Sequence, residues 1–186
     1  MTDQPSPAKL GLTDEELAAH PTMFAADACR DQVVVVTGGA GGIGRAIAWL
    51  FARLGAHVAV VGRDEGKLDA LATQLTGRGF KASAHVADIR EPDAVNALFE
   101  AIWAAHGRVD SLINSAGGQF PQAAIDFSVK GWNAVINTNL NGTWYMMQAA
   151  AQRWRDHKHP GSIVNIVVVD DTASMASRTP LPREVV

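Results

Sequence analysis

Apolar and polar positions along most of the chain alternate between short β-branched runs and longer segments with an apolar residue every three or four positions. Short Val- and Ile-rich runs are typical of buried strands, and the longer spacing is typical of amphipathic helices. The pattern predicts five strands, at Val33–Thr37, His57–Val61, Lys81–Ala87, Ser111–Asn114 and Ser162–Val169. Because helical segments separate the strands, we expect an α/β fold in three layers, a doubly wound parallel sheet with helices on both faces.

The segments between the strands have helical start and stop signals. They are Ile43–Leu54, Glu65–Leu75, a helix with Pro92 in its first turn that ends near His106, and one long helix from about Ser128 to Trp154. Upstream, Thr13 and Glu16 have the spacing of a capping box, in which each side chain bonds the other residue's backbone amide. Residues 1–31 are therefore predicted to form an N-terminal extension with one short helix.

Composition and charge exclude several classes of partner. The 186 residues are 47% apolar, carry a formal net charge of −3 and include one cysteine. Since charges do not cluster and no apolar run approaches the ~20 residues that span a bilayer, we expect neither nucleic acid nor a membrane as partner. The single cysteine and the lack of a leader pattern favour a cytoplasmic protein. No metal-ligand motif is found.

A glycine-rich turn joins the first predicted strand to the helix that follows it. Its sequence fits G-x-G-x-x-G and T-G-x-x-x-G-x-G equally well, with Thr37, Gly38, Gly39, Ala40, Gly41, Gly42, Ile43 and Gly44. Between a strand and a helix, such glycines let the backbone and the free helix amides approach a pyrophosphate. A mononucleotide P-loop is the competing interpretation, but Arg45 and Ala46 stand where its Lys and Ser or Thr are required.

The end of the second predicted strand bears on the choice of dinucleotide. An NAD site normally places a carboxylate there, on the ribose 2′-hydroxyl. This chain has Gly62 followed by Arg63, whose guanidinium can hold a 2′-phosphate. The sequence therefore favours NADP(H), and Asp64 keeps NAD(H) as the less favoured alternative.

Four motifs in order give the chain its resemblance to the short-chain dehydrogenase/reductase family, over about residues 32–169. They are Thr37–Gly44, Asp88-Ile89, Asn114-Ser115-Ala116-Gly117, and Asn139 within Asn137-Thr138-Asn139-Leu140. The resemblance implies a Rossmann-type domain in which Asp88 and Ile89 meet the adenine, and Asn114, Ala116 and Gly117 belong to the cofactor site. It implies that Asn139 is the active-site Asn of a proton relay. We expect the amide of Asn139 to be hydrogen-bonded.

Within the family, three segments look most like the 2,4-dienoyl-CoA and trans-2-enoyl-CoA reductases. They are Gly117-Gly118-Gln119-Phe120, Lys130-Gly131-Trp132 and Gly142-Thr143-Trp144-Tyr145-Met146. Val168 stands where the family's usual active-site Ser would be. The resemblance implies an NADPH-dependent oxidoreductase that acts on a small-molecule substrate and reduces enoyl-CoA thioesters. A dehydrogenase of alcohols or ketones and a catalytically silent dinucleotide-binding module are the alternatives.

The family's Y-x-x-x-K pair has no match in the chain. The only tyrosine is Tyr145, with Ala149 four residues on, and no lysine follows Lys158. Ser174 and Arg178 have the S-x-x-x-R spacing of the counterpart in the enoyl branch, but they come too early after the fifth strand and lack a helical setting, so we interpret this spacing as a coincidence. We expect a C-terminally incomplete family member that stops after its fifth strand, and a homo-oligomer for the full-length form. Residues 170–186 show neither a strand alternation nor a helical stripe, and we interpret them as a non-family tail. The hypothesis that explains this tail is a frame shift near codon 170. The fifth strand would then be an exposed edge that promotes association.

Overall fold

A computed structural model describes residues 11–119 and 123–167 and contains one parallel sheet of five strands. The order across the sheet is β3-β2-β1-β4-β5, with every neighbouring pair parallel. The strands are β1 (Val33–Thr37), β2 (His57–Gly62), β3 (Lys81–Val86), β4 (Ser111–Asn114) and β5 (Ser162–Asn165). The predicted Rossmann-type sheet is confirmed, and the first four strands agree with prediction to within one residue.

Helices cover the two faces of the sheet. They are α1 (Asp14–Ala19), α2 (Gly42–Arg53), α3 (Glu65–Thr76), α4 (Pro92–His106), α5 (Val129–Ile136) and α6 (Thr143–His157). Strand β1 shows why both faces are apolar: Val34 and Val36 pack with residues of α1, α2 and α3, whereas Val33 and Val35 pack with residues of α4 and α6. Within the part of the chain that the structure describes, no helix is long and apolar enough to cross a membrane.

The predicted N-terminal helix is present and is capped as expected. The Glu16 amide donates to Thr13 Oγ1 at 3.2 Å, and the Thr13 amide donates to Glu16 Oε2 at 2.6 Å. This capping box satisfies amides that a six-residue helix otherwise leaves to water. Leu17 is the one buried residue of α1 and joins the core beneath α2.

The single long helix predicted from about Ser128 to Trp154 is wrong in its middle. A π-helical segment, Asn137–Gly142, lies between α5 and α6, and α6 continues to His157. Because a π turn holds an additional residue, it rotates the face that follows it relative to the face before. The predicted apolar stripe is broken there: Trp132 is 58% exposed, while the residues of α6 that are buried are Met146, Ala149, Ala150 and Trp154.

The fifth strand is shorter and more exposed than the buried strand predicted over Ser162–Val169. It ends at Asn165, although the Ile166 amide still donates to the Asn114 carbonyl at 2.9 Å. Ile163 is 37% exposed and Val167 is 71% exposed. Among the described residues β5 pairs with β4 alone, so one edge has no neighbour to bury it. Val168, Val169 and the predicted tail 170–186 lie outside the described residues.

Candidate functional site

A cleft of about 1030 Å³ opens at the carboxyl ends of the strands. The chain passes from β1 through α2 to β2 on one side, and from β3 through α4 to β4 on the other side of β1. This reversal of direction is where open α/β sheets bind ligands. Ten of the predicted site residues line the cleft: Gly38, Gly41, Gly42, Ile43, Arg63, Asp88, Ile89, Ala116, Gly117 and Asn139.

The other four predicted site residues lie behind the wall of the cleft instead. Thr37, Gly39, Gly44 and Asn114 are not among its lining residues. The Thr37 hydroxyl is buried, where it accepts from the amides of Ser115 and Ala116 at 3.1 and 3.0 Å. Thr37 therefore joins the end of β1 to the loop after β4 and supports the site without facing a ligand.

Three glycines of the turn are required by close backbone approach. A Cβ on Gly39 would lie 2.9 Å from the Val36 carbonyl oxygen. A Cβ on Gly38, whose φ is +63°, would lie 2.9 Å from Ala116 Cα. A Cβ on Gly44 would lie 2.3 Å from the Gly38 carbonyl oxygen, so the start of α2 could not fold back on the turn. The turn is thus compressed against both the β4 loop and its own helix.

The other glycines of the turn leave open space beside the first turn of α2. A Cβ on Gly41 or Gly42 would meet nothing within 4 Å, and both residues line the cleft. Gly41 is the N-cap of α2 and provides no side-chain cap, so the helix begins with free amides and its positive dipole end at the cleft. This bare cradle fits the pyrophosphate of a dinucleotide.

Arg90, which was not among the predicted site residues, binds the carboxylate of Asp88. Arg90 Nε donates to both carboxylate oxygens at 2.9 and 3.0 Å, and the Arg90 amide adds a bond of 3.0 Å. These bonds, with a smaller contribution from the charge of Arg63, lower the pKa of Asp88 below its ordinary value. Its position two residues after Asp88, at the start of a turn, was the available signal for Arg90.

The cations of the cleft differ in how they are paired. Lys67 Nζ lies 3.0 Å from Asp64 Oδ2, and the Asp64 carboxylate also caps α3 by accepting from the Lys67 amide at 3.1 Å. These bonds to Lys67 lower the pKa of Asp64. Arg90 is held by Asp88. Arg63 forms no ion pair within residues 11–119 and 123–167 and is exposed at the mouth of the cleft.

Asn139 lies in the π-helical segment and faces the loop after β4. Its Nδ2 donates to the Gly118 carbonyl at 2.9 Å, and the Gly118 amide donates to its Oδ1 at 3.0 Å. The amide side chain is hydrogen-bonded as expected, although it is exposed rather than enclosed by apolar neighbours. The paired bonds fix the Gly117-Gly118 backbone, which lines the cleft together with the glycine-rich turn.

Asn114 and Tyr145 point away from the cleft. Asn114 Nδ2 donates to Asn165 Oδ1 at 2.9 Å and so links β4 to β5, while its own Oδ1 is buried with no partner among the described residues. Tyr145 lines a small groove between α4 and α6 with Val95 and Gln148. The described part of the cleft therefore has no tyrosine in its lining.

Comparison with known proteins gives one family match and several relatives. A family model described as short chain dehydrogenase matches residues 32–184. A probable 2,4-dienoyl-CoA reductase of Bacillus subtilis is 37% identical over 135 residues, which are 73% of this chain and 53% of that protein. Gluconate 5-dehydrogenase of Gluconobacter oxydans is 37% identical over 154 residues, which are 81% of this chain and 57% of that protein.

Solved structures resemble the same region. A citronellol catabolism dehydrogenase of Pseudomonas aeruginosa has a TM-score of 0.75 and 37% identity, covering 79% of this chain and 60% of that one. A metagenomic short-chain oxidoreductase in complex with NADP has a TM-score of 0.69 and 35% identity, covering 81% and 72%. The chain spans about half the length of the curated relatives it matches.

Proposed function

Because this chain belongs to the short chain dehydrogenase family, we propose that its cleft binds NADP(H) and that the protein is an oxidoreductase that reduces enoyl-CoA thioesters. The observation that carries the proposal is the bare glycine cradle at the start of α2, which opens into a cleft that has Arg63 at its mouth. A bound nicotinamide cofactor would supply or accept a hydride.

The preference for NADP(H) over NAD(H) rests on which charges at the cleft mouth are free. The carboxylate that an NAD site uses on the ribose hydroxyls is missing from the end of β2, and Asp64 is engaged in capping α3 and pairing with Lys67. Arg63 is the cleft cation that forms no ion pair among the described residues, although its charge contributes to the lowered pKa of Asp88. Its guanidinium suits a 2′-phosphate, as bidentate bonds to phosphate are strong.

The remaining site residues divide into contacts and supports. We assign pyrophosphate contacts to the backbone of Gly41, Gly42 and Ile43, and the adenine end to Asp88 and Ile89. Ala116 and Gly117 line the cleft where the loop after β4 meets the glycine-rich turn, and the nicotinamide half would lie beside them. Asn139 would hold the Gly118 carbonyl and amide in place and order the proton relay. Gly38 lines the cleft beside these residues, and Thr37, Gly39, Gly44 and Asn114 would support the contacts from behind.

The enoyl-CoA substrate is supported by relatives. Besides the Bacillus protein, a peroxisomal 2,4-dienoyl-CoA reductase of Arabidopsis thaliana is 33% identical over 150 residues. The relatives named gluconate 5-dehydrogenase and D-threitol dehydrogenase favour a second candidate, oxidation of a hydroxyl to a ketone. A dinucleotide-binding protein without turnover is the third.

Titration of the protein with NADPH and NADH tests the cofactor assignment. We expect NADPH to bind at least tenfold more tightly, and Arg63→Ala to raise the Kd for NADPH by about 10- to 100-fold while leaving NADH unchanged, since a charge-assisted phosphate contact contributes about 1.5–3 kcal/mol. Lys67→Ala is the matched control, because Lys67 lines the same cleft but is paired with Asp64. Equal binding of both cofactors, unaffected by Arg63→Ala, would contradict the assignment.

Turnover assays separate the three candidate functions. Oxidation of NADPH by a 2-enoyl-CoA supports the thioester reductase, and reduction of NADP⁺ by a polyol or sugar acid supports the hydroxyl dehydrogenase. Dinucleotide binding with neither reaction supports the silent module and contradicts the proposed chemistry.

A further inference from the structure

The N-terminal extension contacts α2. The extension itself lies outside the region matched by the family model, whereas α2 lies inside it. That region begins at residue 32, whereas α1 spans Asp14–Ala19. Three side chains of α2, spaced four residues apart on one face, donate hydrogen bonds to the segment 12–17, here called the clasp. They are Arg45, Trp49 and Arg53.

Asp14 is the centre of the clasp. Its Oδ1 accepts from Arg45 Nη1 at 3.0 Å and from Trp49 Nε1 at 2.7 Å. Arg45 Nη2 donates to the Leu12 carbonyl, and Arg53 Nη1 donates to the Leu17 carbonyl at 3.0 Å. The Asp14 and Arg45 side chains are only 18% and 28% exposed, so solvent screens this pair less than it screens the surface pairs.

The clasp contacts α2 along its length, and its bonds with Arg45 lie in the first turn, at the end that faces the cleft. The turn has glycine at positions 38, 39, 41, 42 and 44, and its N-cap Gly41 provides no side chain to hold the helix start. Ile43 is 62% exposed. Arg45 directly follows Gly44, and its amide closes the first turn by donating to the Gly41 carbonyl at 3.0 Å. Arg45 is therefore the first side chain of α2 that ties this turn to the rest of the fold.

We propose that Asp14 is a positioning residue for dinucleotide binding: through Arg45 it anchors the first turn of α2, whose free amides form the phosphate cradle. Glycine-rich backbone loses much conformational freedom when it is ordered, so an anchor that orders it before binding raises affinity. The inference rests on the proposed binding of a dinucleotide in the cleft. It adds that an element outside the family's matched region controls the affinity.

Two single variants distinguish anchoring from simple electrostatics. Asp14→Ala removes a negative charge near the cradle and Arg45→Ala removes a positive charge. If charge alone mattered, the two variants would change the Kd for NADPH in opposite directions. If Asp14 anchors the turn through Arg45, both variants raise the Kd, and by similar factors for NADPH and NADH because both cofactors share the pyrophosphate.

We expect each variant to raise the Kd about three- to tenfold, with no further loss in the double variant Asp14→Ala/Arg45→Ala, as for two residues that act as a unit. Ile102→Val is the matched control: it lowers stability through the core of α4, which does not line the cleft, and is expected to leave the Kd unchanged. An Asp14→Ala value within experimental error of the unmodified chain, opposite shifts for the two single variants, or an equal shift in the control would overturn the proposal.

A second measurement keeps the clasp testable if the unmodified chain binds neither dinucleotide, in which case the proposed function fails. Amide hydrogen exchange at Arg45 reports the order of the first turn directly, because this amide donates to the Gly41 carbonyl at 3.0 Å. Asp14→Ala is expected to accelerate this exchange about tenfold, whereas Ile102→Val leaves it unchanged relative to the global unfolding rate. Unaltered exchange in Asp14→Ala would refute the anchoring by itself.

Discussion

Strands β1 and β5 have similar local sequences and opposite environments. Both are rich in β-branched residues, yet β1 is buried along its whole length, and Ile163 and Val164 of β5 are 37% and 46% exposed. β1 lies between two strands and two helical layers, whereas β5 has β4 as its one described neighbour. The burial of a strand therefore depends on its place in the sheet as well as on its sequence.

The same contrast divides the cleft into two unlike sides. The turn after β1 is compressed by backbone contacts of Gly38 and Gly44 and is tied to the N-terminal clasp through Arg45. The side after β5 is formed by Ile166 and Val167, which are 39% and 71% exposed. We call the side after β1 the ordered side, because these contacts hold its backbone, and the side after β5 the exposed side. The predictions below compare the two.

The largest effect is expected from Gly44→Ala on the ordered side. The new Cβ would lie 2.3 Å from the Gly38 carbonyl oxygen, so backbone must move, and we expect a loss of about 2–4 kcal/mol in unfolding free energy and about 100-fold in dinucleotide affinity. Urea denaturation and cofactor titration measure the two losses. Gly41→Ala is the control for the unfolding free energy alone, since its Cβ meets no protein atom within 4 Å but Gly41 lines the cradle. Equal losses of unfolding free energy in both variants would show that the turn is not compressed.

A paired truncation compares the two strands directly. Val35→Ala in β1 removes two fully buried methyl groups and is expected to cost about 2–3 kcal/mol, whereas Val164→Ala in β5 is expected to cost less than about 0.5 kcal/mol. Urea denaturation of the two variants in parallel checks the difference. Similar costs would mean that β5 is buried in solution by residues outside the described ranges.

Acid is expected to destabilise the other half of the sheet, where His57 of β2 lies next to β3. Burial lowers the pKa of His57 to about 4, with smaller contributions from the charges of His106, His85 and Lys81. A histidine in the unfolded chain titrates near 6.5, so between about pH 6.5 and pH 4 the unfolded state binds a proton that the folded state does not. Stability should fall as the pH decreases through this window, by about 1–2 kcal/mol once partial solvent screening is allowed for.

Denaturation at pH 7 and pH 4.5 measures this dependence. His57→Gln is expected to flatten the pH profile, whereas a change at exposed His20 leaves the slope in place. A His57→Gln profile as steep as that of the unmodified chain would assign the acid sensitivity elsewhere, with His85 the first candidate because burial lowers its pKa too.

The smallest effect on stability is expected from Val164→Lys on the exposed side. We expect the unfolding free energy to change by less than about 0.5 kcal/mol and self-association to decrease, because a lysine on a strand edge blocks pairing with another chain. Sedimentation velocity over a range of concentrations measures the association. Met23→Lys adds the same charge at a residue that is 92% exposed and away from β5, and should leave association unchanged.

Much of the fold and of the site could be predicted because the signals are local. Each of these signals involves only residues close together in the chain. They are a β-branched run, a capping pair such as Thr13 and Glu16, and glycines between a strand and a helix. The π turn at Asn137–Gly142 could not be predicted, since the sequence there keeps a helical spacing. The occupation of Asp88 by Arg90 depends on a turn geometry that spacing alone does not specify.

The sequence by itself determined the order of the elements, the position of the glycine-rich turn and the resemblance to the family, because each depends on residues close together in the chain. Only the tertiary structure decided which predicted residues face the cleft, that Thr37 and Asn114 support it from behind, and that Asp14 reaches Arg45 across 31 positions. Those contacts depend on which strands and helices become neighbours, and neighbours distant in sequence are chosen by the packing of the whole sheet.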